Sequence, residues 1–186
     1  LAALGTDFSR RILAEERAWS MALGEGDLAG LPDFVVEAAA EAARERGRAG
    51  HVVTLSRSLI EPFLQFSARR DLREAAWRAW VSRGAQRDAN DTREIVAETL
   101  RLRRERARLL GYEDFAAFKL DGEMAGDPAT ARALLERVWT PAKARAAEEA
   151  EKLRALIRAE GANHELEPWD WRFYAEKLRR ADYDLS

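Results

Sequence analysis

The stretch from Asp127 to Gly161, DPATARALLERVWTPAKARAAEEAEKLRALIRAEG, decides the fold of this chain. Asp127 is a suitable N-cap and Pro128 is favoured at the first helical position, whereas Gly161 favours a helix end. The pattern predicts a helix of about 32 residues and about 48 Å, which Pro141 should kink or divide in two. Its apolar stripe consists of Leu134, Leu135, Val138, Ala142, Ala146, Ala150, Leu153 and Ile157.

Helix signals also dominate the rest of the sequence. His51–Leu55 is the only β-leaning stretch, and one short strand cannot form a sheet, so its partner lies elsewhere or the stretch is a buried connector. We therefore predict an all-α fold, a bundle-like lobe in which residues 1–186 form a single helical segment. Two other helices are predicted with both ends, from Leu1 to about Trp19 and from Asp33 to Arg46, and a third runs from Pro168 to about Asp182. Four more are predicted by their starts alone: a short helix capped by Ser58, one at the Asp71/Glu74 capping box, one at the Asp91/Glu94 capping box and one at Asp114.

The composition excludes several classes of protein. Apolar residues make up 47% and charged residues 34%, which is typical of a globular chain. The 31 basic and 33 acidic residues leave a net charge of −2, so neither nucleic acid nor an anionic membrane is a predicted partner. The absence of cysteine excludes disulfides and thiolate chemistry.

No pattern in the sequence predicts a catalytic or metal site. The two histidines, His51 and His164, lie far apart, and neither has the partner four residues away that helical zinc sites use. A His-Glu-x-x-His motif, a Gly-x-Ser-x-Gly elbow and a phosphate-binding glycine loop are all missing. We therefore predict no catalytic residue, no metal ligand and no cofactor in this chain.

The aromatic cluster at the start of the last helix has two interpretations. At helical spacing Trp169 and Phe173 share one face, and Asp170 and Tyr174 share another. Both faces could pack against neighbouring elements. Alternatively, one face lines a groove in which Tyr and Trp suit contact with a peptide.

Both ends of the sequence lack the signals of a natural boundary. Leu1 opens an apolar helical face with no Met and no N-cap before it, and no stop signal follows Asp184 and Leu185. These features predict that the chain is a piece of a larger protein. We then expect faces covered in that protein to be exposed here and the piece to self-associate.

Two parts of the sequence resemble a known family. The first runs from His51 to Gly84, HVVTLSRSLIEPFLQFSARRDLREAAWRAWVSRG, and the second from LLGYEDF at Leu109–Phe115 to PWDWRFYAEKLR at Pro168–Arg179. In order and spacing they are similar to the thimet-oligopeptidase-like (M3 family) zinc metallopeptidases, and most similar to the bacterial peptidyl-dipeptidases. The resemblance extends along nearly all of the chain.

The resemblance implies a larger, two-lobed helical peptidase with a deep channel, of which this chain is a non-catalytic part. The zinc ion and its His-Glu-x-x-His motif would belong to a C-terminal catalytic lobe downstream of Ser186, and that lobe would be this chain's partner. The helical wall would restrict substrates to short peptides. Phe173 stands where relatives often carry tyrosine, which makes a catalytic role at that position less favoured.

The substrate-channel candidates under this hypothesis are Trp169, Asp170 and Tyr174. A cytoplasmic location is expected, without contact to nucleic acid or membrane. The alternative hypothesis is a freestanding helical protein-interaction module without catalytic activity.

Overall fold

The computed structural model describes residues 1–183, and within them the chain forms eight α-helices, one 3₁₀ helix and two short strands. The predicted all-α fold is confirmed, apart from the strand pair. The elements, in chain order, are α1 Ala2–Ala18, β1 Ser20–Leu23, the 3₁₀ helix Glu25–Leu28, α2 Asp33–Arg44, β2 His51–Thr54, α3 Arg57–Phe66, α4 Arg70–Val81, α5 Arg93–Leu109, α6 Phe115–Leu120, α7 Pro128–Ala159 and α8 Pro168–Tyr183.

The longest helix has the predicted start and length. The Asp127 carboxylate accepts hydrogen bonds from the backbone N–H groups of Ala129 (2.8 Å) and Thr130 (2.9 Å), and Pro128 follows as the first helical residue. Of the two outcomes predicted at Pro141, the division is wrong, because α7 is one uninterrupted helix of 32 residues; the kink stays a prediction. Proline removes a single N–H donor, and the alanine-rich turns that follow it favour the helix strongly enough to continue it.

The β-leaning stretch has a partner that the sequence did not reveal. β1 pairs with β2 in an antiparallel register that places Ser20 opposite Thr54 and Leu23 opposite His51. Ser20–Leu23 contains no β-branched residue, so its sequence does not indicate a strand. The strand also shortens the predicted first helix, because Trp19 is already extended, at φ −82° and ψ 134°.

The two predicted capping boxes are wrong. α4 begins at Arg70, so Asp71 lies inside its first turn rather than before it. Asp91 precedes Thr92, the N-cap of α5, and its carboxylate accepts from the backbone N–H groups of Arg87 and Arg93, both at 3.0 Å. Asp91 therefore stabilises the turn that leads into the helix instead of capping it.

The hydrophobic core is built around α3. On one side α3 packs with α4 and the strand pair, and on the other side it packs with α2. A third apolar cluster joins α7 to α8, and α8 also contacts α3 and α4. The last helix thus connects the long helix to the core. None of the helices within residues 1–183 combines the length and the apolar composition that a membrane span requires.

Candidate functional site

The three predicted channel residues lie in the first two turns of α8, and all three are buried. Trp169 is 7% exposed, Asp170 is fully buried and Tyr174 is 4% exposed. Both faces of this part of α8 pack against neighbouring helices, in agreement with the first interpretation of the aromatic cluster. Whether these residues also affect a substrate channel stays a prediction.

The centre of the site is the Asp170 carboxylate, which two arginines of α4 bind. Arg70 donates to both oxygens, from Nε at 3.1 Å to each and from Nη2 at 3.0 Å to Oδ2. Arg73 Nη2 donates to Oδ1 at 2.8 Å, and the backbone N–H of Glu167 donates to Oδ2 at 3.2 Å. Four donor groups around one carboxylate account for its complete burial, since a buried charge needs a partner for each lone pair.

Arg73 is the other buried charge of the site, with a side chain only 1% exposed. Besides Asp170, it donates to the backbone carbonyls of Ser67 (2.8 Å) and Trp169 (3.2 Å), which ties the start of α4 to the start of α8. Burial lowers the pKa of the Arg73 guanidinium, while the hydrogen bond with Asp170 acts in the opposite direction. An arginine starts from so high a pKa that it stays charged at neutral pH.

Aromatic rings enclose this ion pair. The Arg73 guanidinium lies 4.1 Å from the centre of the Phe173 ring, and Arg78 lies 4.8 Å from that of Trp169. Trp169 also meets Trp77 of α4 edge to face, with 5.7 Å between ring centres. Each of these contacts adds a modest attraction and excludes water from the pair. The indole N–H of Trp169 is buried and has no acceptor within residues 1–183.

The sequence does not distinguish the two arginines that bind Asp170 from a third arginine beside them. Arg69, Arg70 and Arg73 all belong to one charged stretch, RRDLRE, at the start of α4. Arg69 lies at the surface and pairs with Asp71, whereas Arg73 is buried. No local signal distinguishes them, because their difference depends on where α8 packs.

Tyr174 and His164 form a second, weaker contact beside Asp170. The Tyr174 hydroxyl lies 3.3 Å from His164 Nε2, and His164 Nδ1 lies 3.0 Å from the backbone carbonyl of Glu165 and 3.8 Å from Asp170 Oδ2. These contacts place the imidazole between the tyrosine hydroxyl and the Glu165 carbonyl. Burial raises the pKa of Tyr174, so the hydroxyl keeps its proton at neutral pH. His164 therefore serves to hold the loop before α8.

Glu176, two turns further along α8, attaches the helix to α3. Its carboxylate accepts from Gln65 Nε2 (2.8 Å), from Arg179 (2.7 and 2.8 Å) and from Arg180 (2.8 Å), and its side chain is 6% exposed. The hydrogen bonds from Arg179 lower the pKa of Glu176 most, and the pKa falls to about 2. Glu176 is thus a charged link between two helices.

The low pKa of Glu176 predicts a pH-dependent stability. In the unfolded chain a glutamate titrates near pH 4.3, so the stabilisation is fully present above that value and is lost as the pH falls toward 2. We expect Glu176→Gln to lower the free energy of unfolding by roughly 1 to 2 kcal/mol at pH 7. The effect is not larger because the partner arginines are half exposed and solvent screens their attraction to the carboxylate. Less than about half of that difference should remain at pH 3.

Urea unfolding of the wild type and the variant at pH 7, 5 and 3 measures this difference. Glu151→Gln, which removes an exposed carboxylate paired with Arg154, is the matched control and should have little effect at any pH. A Glu176→Gln effect that is constant from pH 7 to pH 3 would contradict the assignment.

The side chains of residues 1–183 do not form a ligand set for a zinc ion. Among residues 1–183 there is no group of three or more His, Asp or Glu side chains that could hold a metal. Asp170 and Glu176 are both saturated by arginine donors, and His164 approaches only the first of them, at 3.8 Å. The arrangement joins helices together and provides no metal ligand set.

Comparison with known proteins gives consistent matches. The sequence pattern of Peptidase family M3 matches residues 63–186. The chain is 33% identical to the dipeptidyl carboxypeptidase of Escherichia coli (strain K12) and 31% identical to oligopeptidase A of the same organism, and each alignment covers 100% of the chain. It is 30% identical to the "probable cytosolic oligopeptidase A" of Arabidopsis thaliana over 98% of the chain. The chain spans only 28% of the length of each bacterial relative and 27% of the plant one.

Proposed function

Because this chain belongs to peptidase family M3, we propose that it is a non-catalytic helical part of a metallopeptidase that cleaves short peptides. One observation carries the proposal: the relatives match the whole chain, yet the match is little more than a quarter of their length. The catalytic groups of the peptidase would then belong to the remaining length. The zinc ion that the family resemblance implies would be held by residues outside 1–183.

We further propose that the chain forms one wall of the substrate channel. α7, at 32 residues, is about 48 Å long, and residues 132–149 are exposed on all sides. A long, rigid helical face of this kind could line or support a narrow channel that admits unfolded peptides and excludes folded proteins. The chain's interactions with a catalytic lobe and with short peptides follow from the same proposal.

The proposed contribution of Trp169, Asp170 and Tyr174 to the channel is to position α8. All three side chains are buried against neighbouring elements, so they would act by holding the helix against α4 and α7. The Asp170–Arg73 pair is the strongest support for this role, since it links the starts of the two helices.

Dipeptide release by the product of the complete reading frame tests the proposal. An N-terminally blocked octapeptide is incubated with that product, and the fragments are identified by mass spectrometry with and without a chelator. We expect chelator-sensitive loss of dipeptides from the C-terminus, and neither hydrolysis nor stoichiometric zinc for the 186-residue chain alone. Internal cleavage would support the oligopeptidase instead of the peptidyl-dipeptidase.

The alternative, a freestanding interaction module, makes the opposite prediction. A reading frame that ends at Ser186, or a longer product that cleaves no peptide, would favour the module and contradict the peptidase. The cytoplasmic location stays a proposal, supported by the "probable cytosolic" name of the plant relative.

A further inference from the structure

The apolar stripe of α7 is covered along only one half of its length. α8 packs against the C-terminal half, where Ala150, Leu153 and Ile157 are buried. In the N-terminal half the stripe continues but is open to solvent: Leu134 is 52% exposed, Leu135 69%, Val138 59% and Trp139 62%. Large apolar side chains that lie next to one another on an exposed helix mark an interaction surface. We call the surface formed by Leu134, Leu135, Val138, Trp139, Ala142 and Ala146 the open stripe.

The geometry of α8 indicates what shape of partner fits. α8 runs back along α7, so that Tyr183 near its end and Arg145 of α7 line one cleft. The open stripe begins next to this cleft and continues along α7 toward the N-terminus of that helix. Its small residues Ala142 and Ala146 allow a second helix to approach closely. An amphipathic α-helix in line with α8 would therefore continue an interface that already exists.

Charge determines which kind of helix fits. The segment 131–146 carries four basic residues and one acidic residue, a net charge of +3. On a helical wheel, Arg137 flanks one edge of the open stripe, and Arg132 and Lys143 flank the other. Within residues 1–183, Arg132, Arg137 and Lys143 form no salt bridge, whereas Arg145 pairs with Glu148 and Glu149. Both edges are thus available to acidic side chains.

The same charges argue against a second copy of this chain. Two open stripes packed together would bring Arg132, Arg137 and Lys143 of both copies to one interface, and like charges at the rim of an interface oppose association. The self-association expected from the sequence is therefore not favoured at this surface.

We propose that the open stripe docks an amphipathic α-helix with acidic flanks that belongs to the remainder of the peptidase polypeptide. The assignment of the docked helix to the remainder of the polypeptide rests on the proposed function, in which the chain is part of a longer protein. The shape and charge of the docked helix rest on α7 alone.

Two synthetic peptides of about 18 residues test the recognition on the 186-residue chain. Both carry the same leucine stripe, and one has glutamate flanks while the other has lysine flanks. Calorimetric titration should show at least about tenfold tighter binding of the glutamate peptide, with the difference shrinking as salt is raised. Leu135→Glu should abolish binding, whereas Leu100→Glu, at a 58% exposed leucine of α5, should not. The double variant Arg137→Glu/Lys143→Glu should shift the preference toward the lysine peptide.

Equal binding of the two peptides, or no binding of either, would overturn the recognition. The recognition would also be overturned if light scattering showed that the chain alone forms a dimer and that Leu135→Glu dissociates this dimer.

Cysteine labelling tests the source of the helix. The sequence has no cysteine, so Val138→Cys introduces a single thiol in this chain. Maleimide should label it rapidly in the 186-residue chain and slowly in the native product of the complete reading frame; equal rates would overturn the assignment to the same polypeptide. Protection of Cys at this position in a longer product without peptidase activity would contradict the proposed function while supporting the docking. Peptidase activity of a longer product in which the thiol is labelled rapidly would support the proposed function and contradict the docking.

Discussion

Asp170→Ala is expected to lower the free energy of unfolding by about 3 to 5 kcal/mol. The substitution leaves the Arg73 guanidinium, 1% exposed, without its carboxylate partner, and a buried charge without a counter-charge retains its full desolvation cost. Arg70 loses its three hydrogen bonds to the same carboxylate. In a chain of this length the midpoint of thermal unfolding should fall by roughly 6 to 20 °C. Guanidinium and thermal unfolding followed by circular dichroism measure both quantities.

Two further variants determine whether the effect comes from the buried charge. Glu151→Ala breaks the exposed pair with Arg154 and should cost less than about 1 kcal/mol. The double variant Asp170→Leu/Arg73→Met removes both buried charges and should be less destabilised than Asp170→Ala. If Asp170→Ala costs no more than Glu151→Ala, the pair does not hold α8 in place.

Arg73→Lys is expected to destabilise the chain by about 2 to 4 kcal/mol, although it preserves the positive charge. A guanidinium donates in three directions at once, here to Asp170, to the Ser67 carbonyl and to the Trp169 carbonyl. A lysine ammonium in the same space cannot reach all three acceptors, and it loses the contact that the guanidinium makes over the Phe173 ring. At least one of the three acceptors then loses the hydrogen bond that residue 73 donates.

Chemical denaturation of the Arg73→Lys variant measures this loss, and Arg154→Lys, at an exposed pair, is the matched control. A near-zero effect of both would mean that charge alone, independent of geometry, stabilises the site. A large effect of Arg73→Lys with none of Arg154→Lys would establish that the fork of donors is required.

Local signals predicted several elements correctly. Asp127 and Pro128 begin the long helix, Asp114 caps α6 through the Ala117 N–H, and Pro168 begins α8. These signals depend on groups within one turn of each other, so the sequence contains all the information that they need. The Asp71 and Asp91 capping boxes failed because the same residue pattern also occurs inside a helix and in the turn before it.

The elements that were missed depend on distant parts of the chain. Ser20–Leu23 becomes a strand only because β2, about thirty residues later, supplies its hydrogen-bond partners. Trp169, Asp170 and Tyr174 were singled out by their residue types, but their burial follows from packing against α3, α4 and α7.

The sequence by itself determined that this protein is helical, that its long helix runs from Pro128 to Ala159, and that it resembles an M3 peptidase. Only the tertiary structure decided that Arg73 pairs with Asp170, 97 residues away, and that α8 covers one half of the α7 stripe and leaves the other open. The physical reason is the range of the interactions. Helix propensity and capping act within a few residues, whereas the burial of a charge or an apolar face is determined by which distant element packs against it.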